Sequence, residues 1–212
     1  MIGLLGKKIG MTTIFAEDGR RVPVTVVSAG PCVVVQVKTP DKDGYSAIQL
    51  GYDPVKAKRV TKPLQGHFKK AGLQPYRRLK EFTTEDIETE FQVGQELKIA
   101  DIFAEGELID CIGTSKGKGF QGAVKLHHFG GGPRTHGQSD RTRAPGSVGA
   151  SSYPSRLVKG IRMAAHMGND TVTIRGLRIE KILGEDNLML IKGSIAGPKG
   201  GYVILRRSMK MA

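Results

Sequence analysis

From Lys116 to His166 the chain runs for 51 residues without a sustained apolar rhythm, and no other stretch limits the possible folds as strongly. Ten glycines and three prolines fall within it. Neither two-residue alternation nor a 3.6-residue apolar repeat survives beyond a single turn, so no amphipathic strand or helix can be drawn there. Ordering such a segment costs about 1–2 kcal/mol per residue, roughly 50–100 kcal/mol in all, with little apolar burial to offset it. On its own the segment is expected to be mobile. A loop of this length inside a compact domain is either functional or disordered.

Regular structure is expected on both sides of it. Strand patterns occupy Leu4 to Ile9, Thr12 to Ala16, Val22 to Ser28, Cys32 to Lys38 and Ser46 to Tyr52. They resume at Thr171 to Ile174, Leu177 to Ile182, Leu188 to Ile191 and Tyr202 to Leu205, separated by Gly or Asn turns. The fold class is mainly β (α+β), with a closed or nearly closed antiparallel β-barrel that leaves few open edges. Residues 1–52, 92–115 and 167–212 are assigned to this body. Residues 53–91 form an inserted subdomain with short helical pieces at Gly66 to Leu73 and Thr84 to Glu90, and residues 116–166 form a basic, glycine-rich extension.

The formal charge of +13 is segregated along the chain. Residues 1–80 carry +10, whereas residues 81–110 hold ten acids against the single base Lys98. Residues 111–170 return to +7, with Asp140 and Asp170 as their only acids. This balance points to a polyanionic partner, with the acidic block turned away from it. An anionic membrane is disfavoured, because no run of about 20 apolar residues and no basic amphipathic helix is visible. The N-terminus lacks the order of a signal peptide, so a cytoplasmic protein is expected. Cys32 and Cys111 stand 79 residues apart, which makes a disulfide framework or a zinc module improbable and suits two buried thiols.

Two patterns imitate enzymes. Gly117-Lys-Gly119-Phe-Gln-Gly122 matches the dinucleotide fingerprint G-x-G-x-x-G, yet only seven residues separate it from Gly130-Gly-Gly-Pro133, too few for the required long helix and second strand. A phosphate-binding P-loop fails as well, since Lys118 is followed by Gly119 rather than Ser or Thr. His127, His128, His136 and His166 with Asp140 suggest a hydrolase. The surrounding sequence, however, offers almost no apolar material to hold a catalytic group rigidly. Contact with RNA bases, sugars and phosphates is the better use of imidazoles in a basic, irregular arm. No catalytic residue, cofactor, metal or small-molecule substrate is assigned. A nucleotide-dependent enzyme and a free-standing nucleic-acid chaperone are the alternatives.

Specific motifs support this reading. Leu5-Gly-Lys-Lys-Ile-Gly-Met-Thr12, Pro23-Val-Thr-Val-Val27, Ala29-Gly-Pro-Cys32 and Lys62-Pro-Leu-Gln-Gly-His67 occur in order. They are followed by Asp110, Gly113-Thr-Ser-Lys-Gly-Lys-Gly-Phe-Gln-Gly122, Gly131-Gly-Pro133, Thr135-His-Gly137, Pro145-Gly-Ser-Val-Gly149, Met163, His166-Met-Gly-Asn169 and Leu190 to Gly193. Across nearly the whole chain this resembles the bacterial L3 family of large-subunit ribosomal proteins. Departures occur at Lys125-Leu-His127, where the family usually has Lys-Arg-Trp, and at Ala165, which replaces a glycine. Ala150-Ser-Ser152 stands where many members carry a glutamine that is methylated in some.

The resemblance implies a barrel of the translation-protein type, binding to 23S-type rRNA, support of early 50S assembly, and an extension reaching toward the peptidyl-transferase centre. Ribosomal proteins L14 and L19 are the implied neighbours. Two arms of about 25 residues span at most about 80 Å at roughly 3.3 Å per residue. Candidate rRNA contacts in the extension are Lys116, Lys118, Lys125, Arg134, Arg141, Arg143, Arg156, Lys159 and Arg162. His127, His128, His136 and His166 follow, with Ser147 in the turn and Lys7 and Lys8 in the N-terminal strand.

Overall fold

The alternating Val, Ile and Leu patterns form strands in the computed structural model, which describes residues 3–84 and 91–208. In chain order the elements begin with β1 (Gly3–Phe15), β2 (Arg21–Ala29), β3 (Cys32–Lys38), α1 (Pro40–Asp43), β4 (Ala47–Pro54) and α2 (Lys62–Lys70). Next come β5 (Tyr76–Thr83), β6 (Glu96–Leu97), α3 (Ile99–Ile102), β7 (Leu108–Thr114), β8 (Phe120–Gln121), α4 (Ala123–His127) and β9 (Ala165–His166). β10 (Thr171–Leu183), β11 (Leu188–Lys192) and β12 (Tyr202–Arg207) complete the order. Two compact units result: Met1–Thr114 with Thr171–Ala212, and Ser115–Asp170. Among the described residues no helix is long and apolar enough to cross a membrane.

The first unit is built on a closed six-stranded antiparallel barrel in the order β1-β12-β7-β10-β11-β2. The two N-terminal segments read separately in the sequence are one strand, because a register shift between Lys8 and Gly10 absorbs the interruption. Gly6 has a packing reason: a Cβ there would lie 2.8 Å from the carbonyl oxygen of Ser28 on β2. Leu4, Ile109, Cys111, Ile179, Met189, Ile191 and Leu205 fill the interior.

The sequence assignment of Cys32 to Lys38 and Ser46 to Tyr52 to the barrel is corrected. β3 and β4 belong to a separate four-stranded sheet in the order β5-β4-β3-β6. The reason lies in the run Cys32–Val35, which is buried at every position. Cys32 and Val34 join the main core, while Val33 and Val35 pack with Phe68 of α2 and with Tyr76 in a second cluster. A strand covered on both faces has no alternation to show which sheet owns it. The inserted structure thus draws on chain well before residue 53. Its helix spans Lys62–Lys70 rather than Gly66 to Leu73, because Pro63 starts it at the first turn and Gly72 follows its end at a φ of 68°. The second expected helix lies, apart from Thr84, outside the described residues.

Among the described residues, five acids of the acidic block serve as internal wiring. Glu81 pairs with Lys38 at 3.2 Å and Glu107 with Arg207 at 2.8 Å. Asp101 caps α3 by accepting from the Lys98 N–H, and Glu105 accepts from the Ile182 N–H. Asp110 is the most buried of them, at 3% exposure, and accepts from the Gly176 N–H at 3.0 Å and from Arg206 at 3.5 Å. Its carboxylate fills the gap where the β7–β10 register shifts between Ile174 and Leu177. Asp110→Ala leaves a buried donor and half of an ion pair unmatched, so we expect a loss of about 2–3 kcal/mol, checked by denaturant unfolding.

Burial pushes both thiols from an ordinary 9.0 up to about 12. An unfolded chain therefore releases two protons between about pH 9 and 12 that the folded chain keeps. Stability is full below pH 9 and falls as pH rises through that window, by about 1.4 kcal/mol per thiol per pH unit. A double variant, Cys32→Ala with Cys111→Ala, is expected to show a shallower decline of the denaturation midpoint between pH 9 and 10.5.

Candidate nucleic-acid interface

The second unit, Ser115–Asp170, is held together by backbone rather than by a core. Ala123 is its only buried residue. The Ser115 N–H donates to Asp170 O at 2.9 Å, the Lys118 N–H to Met167 O at 2.8 Å, and the Met167 N–H to Gly119 O at 2.9 Å. Phe120 then faces His166 across the short β8–β9 ladder. Two glycines make close approaches possible here. A Cβ on Gly168, at a φ of 74°, would sit 2.2 Å from Lys116 O, and one on Gly131, also at 74°, would sit 2.2 Å from Thr142 O.

Nine cations decorate this scaffold: Lys116, Lys118, Lys125, Arg134, Arg141, Arg143, Arg156, Lys159 and Arg162, all exposed. Among the described residues, none of their ammonium or guanidinium groups takes part in an ion pair or a hydrogen bond, although the Lys118 carbonyl accepts from the Gln121 side chain. The contrast with the first unit is plain, where Lys38, Lys192, Arg206 and Arg207 all meet carboxylates. Within a unit that carries only Asp140 and Asp170 as acids, the positive potential has no internal sink.

The histidines occupy defined backbone positions and do not converge. His127 is half-buried; its Nε2 lies 2.9 Å from Met163 O and its ring 6.0 Å from that of Phe129, which makes it a clip between two segments. His128 ends α4 in the left-handed conformation at a φ of 60°, and His136 holds a similar φ of 61°. His128, His136 and His166 are exposed, as is Ser147, whose hydroxyl donates to Gly149 O at 3.1 Å. No three His, Cys, Asp or Glu side chains gather into a group among the described residues. The G-x-G-x-x-G segment does not lead into a long helix either. Phe120 and Gln121 inside it form β8, and α4 after it has five residues.

The two candidates in the first unit differ. Lys8 is 9% exposed and its ammonium donates to Ile195 O at 2.9 Å, so it fastens the turn before β12. Lys7 is half-buried, with its Nζ 5.8 Å from the ring of Tyr202. Arg78 lies 4.6 Å from the same ring, and the Tyr202 hydroxyl donates to Asp53. Burial, followed by that carboxylate, raises the Tyr202 pKa. Sequence reasoning missed Arg78 and Tyr202. It also missed the exposed rings of Phe120 and Tyr153, which are 75% and 86% exposed. Aromatic residues interleaved with bases in a stretch lacking a core were the available signal.

Comparison with known proteins decides the family. Residues 76–186 match the family Ribosomal protein L3. The large ribosomal subunit protein uL3 of Chloroherpeton thalassium is 54% identical over 203 residues, covering 96% of this chain and 97% of that protein. The chain belongs to the ribosomal protein L3 family. Proteins named uL3 from Herpetosiphon aurantiacus and Acidothermus cellulolyticus are 53% and 52% identical, each over 98% of this chain and over 97% and 93% of their own lengths. As a member of the L3 family the chain is a structural, non-enzymatic constituent of the large ribosomal subunit, and so resides in the cytoplasm within the ribosome.

The glycine contacts give a direct test. Gly168→Ala is expected to break the Lys118–Met167 pairing, and hydrogen exchange should show faster amide exchange at Lys118 and Met167 than in the wild type. The barrel amides should be unaffected.

Proposed function

We propose that residues 116–166 bind large-subunit rRNA and carry the turn Pro145–Ala150 toward the peptidyl-transferase centre, while the chain as a whole supports early 50S assembly. The observation that carries this reading is the set of nine exposed cations without an internal anion. Phosphates are the natural complement: each one neutralised releases counterions, and glycine-rich backbone fits crevices that a packed domain cannot enter. Ala123 is the one residue of the second unit removed from solvent, so RNA supplies the surface against which the segment is ordered. Lys118, Lys125, Arg134, Arg141, Arg143, Arg156 and Lys159 serve as phosphate contacts between Lys116 and Arg162 at the two ends. His128, His136 and His166 reach sugars or bases. Neighbouring proteins, L14 and L19 by family resemblance, pack against the first unit, and Lys7 with Arg78 adds a cationic contact there.

Small residues in Pro145-Gly-Ser-Val-Gly-Ala150 suit a tip held in tight RNA surroundings. Ser147→Trp or Ala150→Trp is therefore expected to leave incorporation normal but to alter peptide-bond formation or sensitivity to inhibitors of that centre. Lys116→Ala and Arg162→Ala should instead lower occupancy in 50S particles, each reducing the salt slope of RNA binding by roughly 0.7–0.9. Unchanged peptidyl transfer, inhibitor response and local rRNA reactivity in both bulky variants would place the tip elsewhere.

A further inference from the structure

The second unit contains a cavity of about 500 Å³ whose lining includes Phe129, Gly131, Gly132, Gln138 and Arg141. Two chain segments form its wall, and they approach so closely only because of glycine. The Gly132 N–H donates to Thr142 O at 3.0 Å, and the Ala144 N–H closes a turn onto Arg141 O at 3.2 Å. A Cβ on Gly131 would clash with Thr142 O at 2.2 Å, and one on Gly132 would lie 2.9 Å from Arg141 O. Phe129 is fixed as well, since its ring packs near that of His127, which is anchored to Met163 O.

The lining has a definite chemistry. Phe129, Ala144 and Pro145 offer flat or apolar surface, Gln138 an amide with both donors and an acceptor, and Arg141 a planar cation. Among the described residues, no carboxylate lines the cavity. A wholly apolar ligand would leave Gln138 and Arg141 unmatched, and a simple anion would leave the aromatic wall unused. One planar heteroaromatic group with a polar edge and a phosphate attached satisfies all three kinds of group, and the volume lies in the range of small-ligand sites.

We propose that this cavity takes a single unstacked nucleotide of the RNA, with its base against Phe129, its polar edge on Gln138 and its phosphate toward Arg141. This rests on the rRNA-binding reading above and adds to it a point of base recognition, where the remaining cations contact backbone. It also gives Gly131 and Gly132 a function, since side chains there would push apart the two segments that form its wall.

The test uses intact 50S particles carrying the full-length chain, probed with reagents that modify unpaired bases. Phe129→Leu and Gln138→Ala, two substitutions of different chemistry, are each expected to raise the reactivity of the same one nucleotide several-fold. Failure of both to expose a common nucleotide overturns the proposal. Arg134→Ala and Arg156→Ala, probed in parallel for backbone reactivity, separate the two readings. If these alter rRNA reactivity and the cavity variants do not, the nucleotide site falls while rRNA binding stands; if none of the four alters it, the binding reading falls too. A third arm titrates the purified chain with the four nucleoside monophosphates. Micromolar binding abolished by Gln138→Ala, without any common nucleotide in the particle, would assign the cavity to a free nucleotide and likewise overturn the proposal.

Discussion

The second unit depends on one ladder of the barrel, that between β7 and β10. It pairs Thr114 with Thr171 at one end and Leu108 with Arg178 toward the other, and the Asp110 carboxylate bridges its irregular middle. By connectivity, Ser115–Asp170 is the loop of a hairpin whose two strands the barrel already holds in register. Loop-closure entropy grows only with the logarithm of length, so 56 residues cost roughly 2 kcal/mol more than a four-residue turn. A closed barrel can therefore carry a long irregular insertion at little thermodynamic penalty, provided this ladder is intact.

Cations do two different kinds of work in this chain, and the structure separates them by partner. Lys8 is buried against carbonyl oxygens, and Arg206 and Arg207 meet Asp110 and Glu107. These charges are spent on folding. Those between Lys116 and Arg162 have no such partners among the described residues, and they accompany a segment with one buried residue. Net charge alone does not distinguish the two groups. The distinction appears only once each guanidinium or ammonium is matched to what lies beside it.

That difference also marks what was legible in the sequence. The barrel class and the irregular extension were readable because each leaves a local signature: alternation in the one, its absence in the other. The assignment of β3 was not, since Cys32 to Val35 face apolar groups on both sides and a run of buried residues carries no address. The partners of Lys8 were hidden for a related reason. Beside Lys7 in a basic N-terminus it looks like a phosphate contact, and only the fold brings the carbonyls of Ile195 and Gly197 to it across nearly the whole chain. The exposed rings of Phe120 and Tyr153 and the amide of Gln138 were visible as residues. Their interleaving with bases could be read from the sequence, whereas the place of Gln138 around a cavity depends on turns that pattern reading cannot place.

The double burial of β3 has a consequence for how the body comes apart. Val34 belongs to the main core while Val33 and Val35, one peptide away on either side, belong to the cluster around Phe68. Neither apolar cluster can be exposed without displacing a strand that the other also needs. The barrel and the four-stranded sheet are thus thermodynamically fused, and the first unit should melt as a single cooperative transition, although its topology contains two sheets.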